Sequence, residues 1–151
     1  MASNEAIKSW VKEVQRLCQP KDVVWCDGSE AEKQRLTEQA LARKELFALN
    51  PDKLPGCTYH RSDPGDVART EHLTFICTPA KVDAGPNNNW MAPGDAKQKL
   101  TELFRGAMKG RTLYVVPFVM GPVGSPFSKV GVQVTDSLYV VLNMRIMTRM
   151  G

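Results

Sequence analysis

The sequence is poor in the residues that carry most enzyme chemistry. Its 151 residues include only two histidines, His60 and His72, and four cysteines, Cys18, Cys26, Cys57 and Cys77. No two cysteines form a C-x-x-C pair. One tetrahedral set, Cys57, His60, His72 and Cys77, is arithmetically possible, but its spacing matches no common zinc pattern. Free thiols in a reducing compartment are the simpler expectation. Also missing are G-x-G-x-x-G, H-E-x-x-H and G-x-S-x-G. The stretch Gly121-Pro122-Val123-Gly124-Ser125-Pro126 lacks the lysine and the spacing of a P-loop, and its prolines remove amides that a phosphate needs. It reads as a broad turn or an interface element.

Long apolar runs are absent as well. The longest contender, Leu138 to Met144, is interrupted by Asn143 and followed by Arg145, which excludes a membrane-spanning helix there. Met1 to Glu13 has no apolar core of the kind a secretory signal needs, so a soluble, cytoplasmic chain is expected. Charge of one sign is also scarce, with 20 basic against 16 acidic residues and a formal net charge of +4. The basic residues are scattered, densest at Lys109 to Arg111 and at the pair Arg145 and Arg149. Most read as solvated surface, and no nucleic-acid partner is expected.

What is present is enough for one ordinary domain: 42% hydrophobic and 24% charged residues, with three Trp, three Tyr and five Phe to bury. Ser3 or Asn4 caps a first helix in which Ile7, Trp10, Val11, Val14 and Leu17 recur at helical spacing until Pro20. Val23 to Cys26 reads as a short buried strand. Ser29 and Glu32 form a capping box that opens a second helix to about Leu46, with Leu36, Ala40 and Leu41 inward and Asn50-Pro51-Asp52 as the stop. Between Cys57 and Pro93 the chain is irregular. It offers a short strand at Tyr59-His60, a turn cluster at 62–66, a β-rich run Leu73 to Cys77, and a long loop from Pro79 to Pro93 that Trp90 should pin.

A third helix is expected from Asp95 to Phe104, with Ala96, Leu100, Leu103 and Phe104 on one side. Thr112 to Met120 and Lys129 to Thr135 read as a hairpin, with Pro117 marking an edge or a bulge. Asp136-Ser137 then caps a buried helix from Leu138 to about Thr148. The expected fold class is mixed α/β without regular βαβ alternation or internal repeats.

The segment Asp66-Val67-Ala68-Arg69-Thr70-Glu71 stands out chemically. A guanidinium just after a Pro-Gly turn suits a small carboxylate or phosphate held bidentately, and Glu71 is placed to hold that arginine or tune the loop. On residue types alone, a surface Arg–Glu neighbourhood contributing under about 1 kcal/mol is the simpler expectation.

Read together, several stretches resemble one family. They are Leu17 to Pro20 with Cys26-Asp27-Gly28-Ser29-Glu30, Ser62-Asp63-Pro64 with Asp66 to Arg69, Thr74 to Cys77, Gly85-Pro86-Asn87-Asn88-Asn89-Trp90-Met91, and Met108 to Thr112. Pro117 to Pro126 and Met144 to Gly151 complete the set. In order, over nearly the whole chain, the sequence resembles the N-terminal part of the GTP-dependent phosphoenolpyruvate carboxykinases. The Asn-Asn-Trp loop is similar to the bacterial branch.

The resemblance implies the reversible conversion of oxaloacetate and GTP to phosphoenolpyruvate, GDP and CO2, a step of gluconeogenesis. It implies Mn2+, with Mg2+ or another second ion on the nucleotide. The family's mobile substrate loop corresponds to Asp66 through about Thr74, its substrate-carboxylate arginine to Arg69, and its loop-controlling glutamate to Glu71. Leu73 stands where many relatives have a basic residue. The family's nucleotide P-loop, reactive cysteine and metal-binding Lys, His and Asp correspond to no residues here. Residues 1–151 are therefore expected to be an incomplete N-terminal, substrate-side domain without the GTP- and metal-binding domain, inactive alone, and truncated after Gly151. The full enzyme is expected to be a monomer. A fragment is expected to self-associate through apolar surface on the last helix, at Leu138, Val141, Leu142, Ile146 and Met147. Two other readings are a free-standing, non-catalytic carboxylate-binding or interaction domain derived from the same lobe, and an unrelated basic RNA- or anion-binding module with steep salt dependence.

Overall fold

The computed structural model describes residues 4–66 and 70–151. Its central element is β6 (Thr112–Met120), an apolar strand covered on both faces. β1 (Asp22–Trp25) pairs with it in parallel, from Asp22 opposite Thr112 to Trp25 opposite Val115. β7 (Lys129–Thr135) pairs antiparallel along the other edge, closing the expected hairpin. β8 (Arg149–Met150) also pairs with β6, opposite Val119 and Phe118, and so continues the edge where β1 stops. The sheet is therefore mixed, with parallel and antiparallel neighbours on β6.

The period of two along β6 separates two cores. Tyr114 and Val116 face α2 (Glu30–Ala42) and α4 (Leu138–Met147), where Leu36, Ala40, Leu138 and Val141 are fully buried. Leu113 and Val115 face the other way, onto Val11 of α1 (Glu5–Cys18) with Ile7 and Val14 beside it. A strand buried on both faces reads as the continuous apolar run seen here rather than as an alternation.

The helix starts follow their caps. The Asn4 side chain accepts from the amides of Ala6 at 3.0 Å and Ile7 at 3.4 Å. Ser29 Oγ accepts from Glu32 N at 3.1 Å and Ser137 Oγ from Val140 N at 3.3 Å. The capping box is shifted from its usual form. Glu32 reaches past the cap to Gly28 N at 3.0 Å and Asp27 N at 3.4 Å, while Asp27 takes the Ser29 amide at 2.8 Å. At the far end of α1, Gln19 adopts φ 54° and its amide donates to Gln15 O. The last carbonyls of α1 are met by a distant segment: Leu17 O accepts from Gly106 N and Cys18 O from Met108 N.

Five details differ from the local patterning. First, α2 ends at Ala42, not near Leu46: Lys44 turns to φ 59°, and the amides of Glu45 and Leu46 both donate to Ala40 O, which folds Leu46 into the core. Second, Asn50-Pro51-Asp52 does not stop a helix. It begins the connection between β2 (Phe47–Ala48) and β3 (Thr58–Tyr59), with Asn50 Oδ1 accepting from Asp52 N. Third, the run Leu73 to Cys77 keeps only β4 (Phe75–Ile76), preceded by a single 3-10 turn at Glu71–Leu73.

Fourth, α3 (Pro93–Phe104) starts with proline in its first turn, and its apolar side is open, with Leu100, Leu103 and Phe104 51%, 67% and 49% exposed. Fifth, Pro117 sits in the central strand. Val115 O accepts from Cys26 N and Pro117 O from Gly151 N, so its missing N–H falls in the gap between β1 and β8 rather than in the ladder to β7. On α4, Ile146 and Met147 are exposed while Leu138 and Val141 are buried. No helix among the described residues is long and apolar enough to cross a membrane.

Candidate functional site

The chemically distinctive segment, Asp66 to Glu71, lies within the stretch from Arg61 to Thr74. Arg69 falls within residues 67–69, outside the described residues. Glu71 is described, exposed, and opens the 3-10 turn Glu71–Leu73. What the fold supplies is a frame at both ends of this segment. Upstream, the His60 ring stacks on Tyr139 of α4, with centroids 3.8 Å apart and planes 17° from parallel. Its Nδ1 lies 2.6 Å from Glu45 O. The turn that follows is closed by Asp63, whose Oδ1 accepts from Gly65 N at 2.7 Å and whose carbonyl accepts from Asp66 N at 2.9 Å.

Downstream, the long loop from Pro79 contains a 3-10 turn at Lys81–Ala84 and β5 (Asn89–Trp90). β5 pairs in parallel with β4, Phe75 opposite Asn89 and Ile76 opposite Trp90. Trp90 Nε1 donates to Thr78 O at 2.9 Å, so the ring pins the loop as its sequence predicts. Asn89 Nδ2 donates to Glu71 O at 2.7 Å and to Thr74 O at 3.3 Å. Within the turn, Thr70 O accepts from Leu73 N at 2.9 Å and Thr74 Oγ1 at 3.0 Å. The roles of His60, Tyr139 and Asn89 are not signalled in the sequence, because each acts on a backbone or ring far along the chain.

His60 is engaged as described, and among the described residues no three His, Cys, Asp or Glu side chains converge as a metal requires. A cleft of about 360 Å³ is lined by Arg43, Glu45, Arg111 and Asp136, but its charges are paired: Arg111 meets Asp136 at 2.7 Å and Arg43 meets Glu45 at 3.9 Å. Arg145 departs from the expected solvated basic surface. Its side chain is 13% exposed and donates to the carbonyls of Gly28 and Ser29 and, at 2.7 Å, to Glu30.

All four cysteines are free thiols. Burial pushes the Cys26 thiol up to about 12, with the neighbouring Glu32 carboxylate adding to the shift, and burial raises Cys18 as well. A raised thiol stays neutral, and only the thiolate is a nucleophile. At about pH 8, native protein should therefore be alkylated at the exposed Cys57 and Cys77 and spared at Cys18 and Cys26, with all four reacting in denaturant. Peptide mapping after labelling checks this, and fast native labelling of Cys26 would contradict it.

The described residues form a mixed α/β unit in which His60 and Asn89 fasten the two ends of the stretch around residues 61–74. The chain belongs to the family described as the phosphoenolpyruvate carboxykinase N-terminal domain, whose model matches residues 9–151. It is 62% identical over 149 residues to a phosphoenolpyruvate carboxykinase (GTP) of Anaeromyxobacter dehalogenans. It is 55% identical to one of Chlamydia muridarum and 51% identical to one of Corynebacterium efficiens. These alignments cover 99% of this chain and about a quarter of each relative. The chain thus matches the N-terminal region of GTP-dependent phosphoenolpyruvate carboxykinase, and nothing in the comparisons supports a free-standing binding domain.

Proposed function

We propose that this chain is the N-terminal, substrate-side part of a GTP-dependent phosphoenolpyruvate carboxykinase acting in gluconeogenesis. The observation that carries the proposal is the 62% identity over 99% of the chain to an enzyme of that name. In the reaction, the bond from C3 of oxaloacetate to its carboxylate breaks and CO2 leaves. The electron pair becomes an enolate, whose oxygen takes the γ-phosphoryl of GTP to give phosphoenolpyruvate and GDP. Arg69 is the residue of this chain that grips a substrate carboxylate, through a bidentate, charge-assisted fork. Glu71, opening the turn immediately downstream, acts on the loop that carries it.

By the family resemblance, Mn2+, Mg2+ and GTP would be held by residues of the complete enzyme that match none in this sequence. The test is an assay of oxaloacetate with GTP and Mn2+. The protein encoded by the complete reading frame should form phosphoenolpyruvate, and the isolated 151 residues should not. Inactivity of the complete protein would overturn the assignment. Turnover by rigorously pure 151-residue chain would overturn the division of labour.

A further inference from the structure

We propose that Asn89 is a positioning residue for the substrate loop, holding by its side-chain amide the downstream root of the segment that carries Arg69. The inference rests on the carboxykinase reading and adds to it a residue from outside the loop. Asn89 is 18 residues from Glu71 in sequence, yet its Nδ2 donates to Glu71 O at 2.7 Å and to Thr74 O at 3.3 Å. Those carbonyls bracket the turn Glu71–Leu73, which starts two residues after Arg69. Among the described residues, little else fastens the turn from outside. β4 and β5 pair over only two residues, and the bonds from Trp90 to Thr78 and from Met91 N to Ile76 O lie further downstream.

The chemistry is specific to an amide. Both partners are carbonyl oxygens, so the group between them must donate, which fixes the orientation of Asn89 with its nitrogen toward the turn. An aspartate of the same shape has no donor and turns a carboxylate oxygen toward two carbonyls. A root ordered before substrate arrives reduces the conformational entropy lost when the loop engages it, so Asn89 acts on affinity rather than on the phosphoryl transfer itself. Asn88 provides a contrast one residue away. Its Nδ2 donates to Ala84 O at 2.7 Å and does not touch the turn.

The experiment uses the protein from the complete reading frame. Asn89→Ala should raise KM for oxaloacetate about tenfold with kcat within about twofold, the size expected for loss of backbone-directed hydrogen bonds. Asn89→Asp should raise KM further, and Asn88→Ala should leave it unchanged. In an Arg69→Ala background, Asn89→Ala should add less than about twofold, because the residue acts through that arginine. Hydrogen exchange at the amides of Leu73 and Thr74 should quicken in both Asn89 variants. An active wild type whose KM survives both substitutions overturns the inference. So does an undiminished Asn89→Ala effect without Arg69. A wild type with no carboxykinase activity is a different failure: it removes the functional assignment, and this inference with it.

Discussion

Replacing Arg69 by alanine in the protein from the complete reading frame should lower kcat/KM for oxaloacetate and for phosphoenolpyruvate by about 30-fold to several thousand-fold. That range corresponds to about 2–5 kcal/mol, the cost of truncating one partner of a desolvated, hydrogen-bonded charge pair. The argument is geometric. A guanidinium presents two parallel N–H donors to a carboxylate, so its removal leaves a substrate charge both unpaired and unoriented. Arg69→Lys keeps the charge and loses the fork, and should recover only part of the loss. Steady-state kinetics in both directions check the expectation, and an unchanged kcat/KM in Arg69→Ala would refute the role given to this residue. The effect should exceed the tenfold expected at Asn89, since the proposed role of Asn89 is to order the loop and that of Arg69 is to contact the substrate.

The second large effect concerns stability. Gly28→Ala should destabilise the fold by about 2–4 kcal/mol, well above the roughly 1 kcal/mol typical of a point substitution. Gly28 sits at φ 70°, and a Cβ there would lie 2.4 Å from Met150 O and 2.7 Å from Met150 C. Both are backbone atoms, so the clash cannot be relieved by a side-chain rotation. The close approach marks where the chain leaving β1 meets β8, and the same residue is held from two other sides. Its amide donates to Glu32 at 3.0 Å and its carbonyl accepts from Arg145. Moving Gly28 to relieve the clash strains the α2 cap, the Arg145 clamp and the β8 pairing together.

Gly56 serves as the control. It has φ 72° but nothing within 4 Å of its Cβ position, so Gly56→Ala should show the backbone cost alone, about 1–2 kcal/mol. Denaturant titration of both variants separates the terms, and equal losses would show that the approach of Met150 contributes nothing.

Much of this architecture was legible in local chemistry. Asn4, Ser29 and Ser137 are small polar residues just before apolar-periodic segments, and each accepts from amides of its own helix within the next three residues. The hairpin of β6 and β7 follows from two β-rich runs around a Gly-Pro turn. Its central strand is apolar throughout because both of its faces are covered. Trp90 in a long loop correctly signalled order, since an indole has both area to bury and one donor to satisfy. Arg69 and Glu71 become site candidates only through resemblance, because an isolated Arg-x-Glu has no chemistry that separates a substrate anchor from a surface pair.

The departures have one physical source: a local pattern states which groups need partners but not which distant groups will meet them. The apolar side of α3 reads as a core-facing stripe, yet Leu103 is 67% exposed among the described residues. The end of α2 was set by Ala40 O collecting two amides while Leu46 dropped into a core built from other elements. Arg145 is a surface cation by composition and becomes a clamp because α2's first turn, about 115 residues earlier, brings carbonyls and a carboxylate to it. Sequence alone determined the class of fold, the capped starts of α1, α2 and α4, the hairpin and the family. Tertiary structure alone decided which carbonyls Asn89 and Arg145 would satisfy, because a donor's partner depends on backbones that come together only when the sheet and its two cores assemble.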